Sequence, residues 1–199
     1  AMTPTGKSLL PVLTNEEHSP HREYVLTGRE RHSHARPDNL VYPARAIRTQ
    51  EYLYVYHFNP DRWPQGDPVP SNPQNDQRSM VQGFKALYPG YHDVDPSPSK
   101  EEIMAMPDTP YFDRAFAKRP REQLYDIQKD PYCTQNIALF PEYKEVLIQL
   151  KQQLLSDLKQ QGDPRVSDNP VFDSYPRYST MRNFPGFNLR GKYNPAFAR

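Results

Sequence analysis

The chain has 199 residues, 25 Lys and Arg against 24 Asp and Glu, and a net charge of +1; this balance gives no whole-protein field for gripping nucleic acid or an anionic membrane. Mean hydropathy is −0.93, and no apolar run approaches the ~18 residues of a membrane-spanning helix. The 23 prolines are about twice the usual share of roughly 5%, while 12% aromatic residues argue against plain disorder, since aromatics anchor cores.

In chain order, residues 1–22 read as a lead-in with Pro4, Pro11 and Pro20, expected to be a linker from a preceding domain. Residues 23–28, EYVLTG, read as a strand closed by Gly28. A polar loop, RERHSHARPDN, follows. Residues 41–48 and 51–58 form the arms of a predicted hairpin. In its second arm Tyr52, Tyr54 and Tyr56 share one face, and Leu53, Val55 and His57 the other. The connecting Thr49-Gln50 lacks the Gly or Asn usual in a two-residue turn.

Residues 59–79 read as a loop with five prolines between Pro60 and Pro73. A short helix is expected over 79–88 and another from Ser99, where Ser99 and Glu102 have capping-box spacing, ended by Pro107. A strand is expected over 122–128. The clearest helix runs over 141–161: Pro141 suits the first turn, and Tyr143, Val146, Leu147, Leu150, Leu154 and Leu158 form one stripe. Gly162 closes it and Pro164 prevents continuation. Residues 163–199 read as an extended Pro, aromatic and Arg tail. The predicted fold class is α+β: a small antiparallel β-sheet packed by one long C-terminal α-helix, with long Pro-rich loops.

Cys133 is the only cysteine, so no internal disulfide forms. It stands in LYDIQKDPYCTQNIALFPEYKEVL, residues 124–147. Asp126 and Asp130 are spaced for turns whose backbone N–H groups a carboxylate accepts. Pro131 fixes the turn, Asn136 caps the approach to the helix, and Tyr125 is expected to lie under it. A reactive thiolate needs a nearby cation or helix N-terminus, and only Lys129 is close in sequence. Cys133 reads as structural.

Leu124-Tyr125-Asp126, Asp130-Pro131, Asn136-Ile137-Ala138 and the amphipathic helix after them resemble the closing element of the sulfatase family. TGKSLLPVL at 5–13 resembles the segment leaving that family's catalytic domain. YPARAIRTQEYLYVYHF at 42–58 resembles its hairpin. NPDRWPQGDP and the 28–39 loop narrow the resemblance to heparan N-sulfatase-like members. The resemblance spans about residues 5–162. It implies a sulfatase C-terminal subdomain at 23–162, a sulfated-sugar substrate, an upstream catalytic domain as partner, and a periplasmic, secreted or lysosomal setting.

The family nucleophile is a cysteine converted to formylglycine within C-x-[PA]-x-R. Gln135 and Ile137 occupy the third and fifth places after Cys133 starts the count, so Cys133 does not fit. The family's calcium ligands read D-[NH]-G, whereas Leu40 follows Asp38-Asn39 and Pro170 follows Asp168-Asn169. Calcium and formylglycine are therefore expected upstream of residue 1, and no catalytic or metal residue is assigned here.

The loop GRERHSHARPDN at 28–39 carries Arg29, Arg31, His32, His34 and Arg36. Guanidinium forks suit carboxylate or sulfate, and imidazole suits hydroxyls. Arg31, His32 and His34 are the candidate substrate-binding residues, with a solvated basic loop as the alternative reading. His32 and His34 lack a further metal ligand nearby in sequence. Trp63 reads as an anchor for its loop; His18, His21 and His92 read as surface residues. The tail resembles single-strand nucleic-acid binders in composition only, and an arm wrapping the domain or mediating homo-oligomer contacts is preferred. Two further readings stay open: a free-standing carbohydrate- or protein-binding module with a sulfatase-derived fold, and a structural protein that oligomerises through its tail.

Overall fold

A computed structural model describes residues 6, 8–14, 22–32, 36, 40–68, 80–81, 84–85, 90–91, 93–167 and 170–174. Among them α1 spans Leu10–Leu13, β1 Val25–Arg29, β2 Ala44–Arg48, β3 Tyr52–His57, β4 Met80–Val81, β5 Phe84–Lys85, α2 Pro98–Met104, α3 Pro110–Phe116, β6 Glu122–Asp126 and α4 Lys144–Gln160. Strands β1, β2, β3 and β6 form an antiparallel sheet in that order. It is the expected small sheet packed by one long helix.

The predicted hairpin forms, with Ile47 opposite Tyr54 and Tyr54 opposite Leu124. The register puts Ile47, Tyr54 and Leu124 on one face. They pack against Leu154 and Leu158 of α4 and against Ile137, with Tyr52, Tyr56, Tyr143, Val146, Leu147 and Leu150 around them. The tyrosine stripe is thus the face that the helix covers. Thr49 replaces the missing turn glycine: its Oγ1 accepts the Tyr52 (2.9 Å) and Glu51 (3.2 Å) N–H groups. Helix α4 follows a 3₁₀ turn at Pro141–Tyr143, and Gly162 (φ 72°) supplies the left-handed residue just past its end.

Strand β6 stops at Asp126, short of 128, because the Asp126 carboxylate accepts the N–H groups of Gln128 (3.2 Å) and Lys129 (3.1 Å) and turns the chain. Asp130 makes the second turn, accepting from Thr134 N (2.6 Å), Gln135 N (2.8 Å) and Thr134 Oγ1 (3.0 Å). The pair is turn chemistry, as its spacing implied. Two neighbours behave differently from expectation. Asn136 Oδ1 accepts from Leu124 N (2.9 Å) and Ala138 N (3.1 Å), tying the loop to β6 rather than capping α4. Tyr125 pairs opposite Leu53, so alternation puts it on the sheet face away from α4.

Three local expectations are corrected. Residues 80–81 and 84–85 pair as β4 and β5 instead of forming a helix; Gly83 within a ten-residue window disfavours one. Helix α2 is capped by Ser97, whose hydroxyl accepts Lys100 N (3.2 Å), two residues before the expected Ser99. Helix α3 was not anticipated; Thr109 caps it and Pro110 opens it. Seven residues are too few for periodicity to register.

A second cluster holds these short elements. Tyr91 meets Phe116 (ring centroids 4.6 Å), Trp63 (5.8 Å) and Phe112 (6.0 Å). Trp63 anchors its loop by this contact. Gly90 (φ 100°) is required before Tyr91, since a Cβ there would meet the Pro68 carbonyl at 1.7 Å. The buried Lys100 ammonium locks the same turn, donating to the carbonyls of Gly90, Tyr91 and Val94 at 3.0–3.1 Å.

Residues 163–167 and 170–174 fold back on the sheet edge. Arg45 donates to Asp163 Oδ2 (2.6 Å) and Glu30 Oε1 (2.8 Å); Arg165 donates to Glu30 Oε2 (2.6 Å); Arg62 donates to Asp173 Oδ1 (3.0 Å). The guanidinium carbons of Arg45 and Arg165 lie 5.8 and 5.2 Å from the Phe172 ring. Burial opposes the Arg45 charge, yet its bonds to Asp163 and Glu30 outweigh that and raise its pKa.

Candidate functional site

The basic loop after β1 closes around one carboxylate that sequence reasoning missed. Asp93, with a side chain 0% exposed, accepts from Arg29 Nη2 at 2.8 Å and lies 3.5 Å from Arg36 Nη2 and 3.3 Å from His32 Nδ1. His32 Nδ1 also stands 3.2 Å from the Asp93 carbonyl oxygen. Asp93 is placed by its own N–H, which donates to the Gln65 carbonyl (2.9 Å). Sequence spacing gives no hint of the cluster, since 64 residues separate Arg29 from Asp93.

The three side chains around Asp93 differ in exposure, and this separates their roles. Arg36 is 2% exposed and donates to the carbonyls of Trp63 (2.9 Å) and Pro64 (2.5 Å). Burial pulls its pKa below the ordinary value, against the pull of Asp93. Arg36 fastens the loop. Arg29 and His32 have side chains 40% and 62% exposed, so each keeps a solvent side while one edge is held on Asp93. Arg31 donates to the Phe172 carbonyl (3.2 Å), tying the loop to the 170–173 turn. His34, His18, His21 and His92 lie outside the described residues.

Such a cluster offers charge and hydrogen bonds to an anion. Cys133 stands apart from it, in the turn after β6, with φ 52°. Burial, and then Asp130, push its thiol pKa up, opposite to what a reactive thiolate needs. Among the described residues no group of three His, Cys, Asp or Glu side chains stands together as metal ligands.

On the open sheet face His57 is 6% exposed. Its Nε2 lies 2.8 Å from Gln123 Oε1, and Gln123 Nε2 donates to the Tyr125 hydroxyl (2.7 Å). The Gln123 oxygen must accept, so Nε2 carries the proton. Burial lowers the His57 pKa, and Arg119 adds to that against the Gln123 bond. His57 is a neutral structural residue.

No family model matches the sequence. The chain is 27% identical over 168 residues to human N-sulphoglucosamine sulphohydrolase, covering 81% of this chain and 27% of that protein. It is 25% identical over 162 residues to an ulvan-active sulfatase of Formosa agariphila, covering 79% of this chain and 25% of that protein. A solved 2-O GAG sulfatase aligns with a TM-score of 0.44 and 18% identity over 87% of this chain and 26% of its own. The chain spans about a quarter of the length of the curated relatives it matches.

Proposed function

We propose that this chain, whose sequence relatives are sulfatases, is the non-catalytic C-terminal part of a sulfatase that hydrolyses sulfate esters or sulfamates of sulfated sugars. Residues 23–162 are the subdomain, 1–22 the linker from a catalytic domain and 163–199 the tail. The partner is that catalytic domain, which would hold calcium and the formylglycine. Exposed Leu9, Leu10, Val12 and Leu13 are apolar surface suited to such a partner.

The observation that carries the reading is the Asp93 cluster. A buried carboxylate fixes Arg29 and His32 with their other edges in solvent. Side chains already held bind an anionic sugar at a smaller entropy cost than free ones. Arg31, His32 and His34 act in recognition of the sugar and not in cleavage.

The test uses the longer protein that contains this chain. Losing one charge-assisted hydrogen bond costs about 1.5–3 kcal/mol. His32→Ala or His34→Ala should therefore lower kcat/KM on a sulfated oligosaccharide by roughly 10- to 150-fold. A small aryl sulfate, too short to reach the loop, should be hardly affected. Equal losses on both substrates, or none on either, would refute the role.

A further inference from the structure

A second concave surface lies on the sheet face away from α4, between α3 and the turn after β6. It is a groove of about 610 Å³, within the roughly 300–1,000 Å³ typical of ligand sites. Arg114, Lys118 and Arg119 line it together with Tyr125, Tyr132 and Cys133. Among the described residues that line it, Arg114, Lys118 and Arg119 outnumber the one carboxylate, Asp113, with the charge of Asp130 also acting on Tyr125 and Cys133.

The charge is held in place. Arg119 donates to the carbonyls of Asp113 (2.7 Å) and Arg114 at the C-terminal end of α3, where the helix dipole favours a cation. Its field reaches across the sheet face. Although burial dominates each shift, the Arg119 charge favours ionised Tyr42 and Tyr125 and opposes protonation of His57. Arg114, in the last turn of α3, and Lys118, just past its end, are both exposed and both line the groove, with the Lys118 ammonium 5.3 Å from the Trp63 ring.

The turn after β6 contributes strained backbone to the lining. Cys133 occupies the left-handed region at φ 52°, which costs a non-glycine residue about 1–2 kcal/mol. Strain of this kind is retained where surrounding structure over-determines it, commonly at binding surfaces. Here the Asp130 carbonyl accepts Cys133 N (3.0 Å), and the Asp130 carboxylate holds the next two N–H groups. The result presents Tyr132 at 87% exposure. An exposed aromatic with an apolar face and a polar tip, in one groove with cations, suits an acidic sugar: the ring covers its apolar face and the cations meet its anionic substituents.

We propose that this groove is a second saccharide-binding site, separate from the Asp93 cluster, for an oligosaccharide bearing sulfate or carboxylate groups. It goes beyond the sulfatase reading and stands whether or not the Asp93 cluster binds sugar.

Cys133 gives a direct readout, because it is the only thiol in the chain and lines the groove. Alkylation of the 199-residue chain by iodoacetamide should slow at least fivefold with a saturating sulfated tetrasaccharide. The neutral tetrasaccharide of the same backbone should not protect. Arg114→Ala with Lys118→Ala should weaken the protecting saccharide about tenfold for each cation, or about 1.4 kcal/mol each, with an unchanged circular dichroism spectrum. Tyr132→Ala should weaken the saccharide while leaving inorganic sulfate unchanged. Arg29→Ala should leave protection intact, which separates failure of the groove from failure of the loop reading. Absence of protection, equal protection by neutral sugar or inorganic sulfate, or protection unchanged in the double variant would overturn the proposal.

Discussion

Removing Asp93 tests the centre of the candidate site. Asp93→Ala removes one carboxylate from Arg36, 2% exposed, while the Asp67 charge still favours its ionised form and the Trp63 and Pro64 carbonyls still accept from it. Breaking a buried pair costs about 3–5 kcal/mol. At 3.5 Å the Arg36 contact is long, which places the cost near the lower end, about 3 kcal/mol. The Arg29 contact is 40% exposed and adds less than about 1 kcal/mol. Asp93→Asn keeps the size and one acceptor oxygen, so about 1–2 kcal/mol is expected. Trp63 is the sole tryptophan, and its carbonyl and ring both belong to the affected region. Urea unfolding followed by its fluorescence reads the loss, and Asp93→Ala should lower the midpoint by about 1–2 M. A loss below about 1 kcal/mol for the alanine variant, or stabilisation by asparagine, would refute the hub.

Leu154, fully buried in the stripe of α4, should lose about 2–5 kcal/mol as Leu154→Ala, more than partly buried Leu150; chemical denaturation ranking them the other way contradicts the packing. Cys133→Gly should raise stability by about 1 kcal/mol by relieving φ 52° and Cys133→Val should lower it, while Cys133→Ser stays within about 1 kcal/mol; stabilisation by valine would contradict the left-handed turn. His57 has its pKa lowered from 6.5 by burial, so the unfolded chain takes up the proton first. Its stability contribution is present above pH 6.5 and is lost as pH falls through the lowered folded value. Between pH 7 and 5 unfolding free energy should fall less steeply in His57→Gln, and equal slopes would exclude the neutral histidine.

Periodicity made the sheet and α4 legible. The alternation of Tyr52, Tyr54 and Tyr56 and the leucine stripe each repeat often enough to define a face. The carboxylate turns at Asp126 and Asp130 were legible because their partners lie within five residues. Tyr125 was misplaced because alternation along β6 sets its face, not proximity to the helix. The Asp93 cluster and the Arg45, Glu30, Asp163 and Arg165 web were illegible, since their pairs span 15 to 135 residues and arise only from the folded topology. The short α3 and the β4–β5 pair hold too few residues for periodicity to outweigh local tertiary contacts.

Sulfate release separates recognition from cleavage most directly. The purified 199-residue chain is incubated with a sulfated disaccharide, with and without calcium, and free sulfate is measured by ion chromatography. No release above the buffer rate is expected, because Cys133 lies outside any C-x-[PA]-x-R pattern and its thiol pKa is raised. Turnover by the chain that Cys133→Ala abolishes would contradict the assignment of cleavage to another part of the protein.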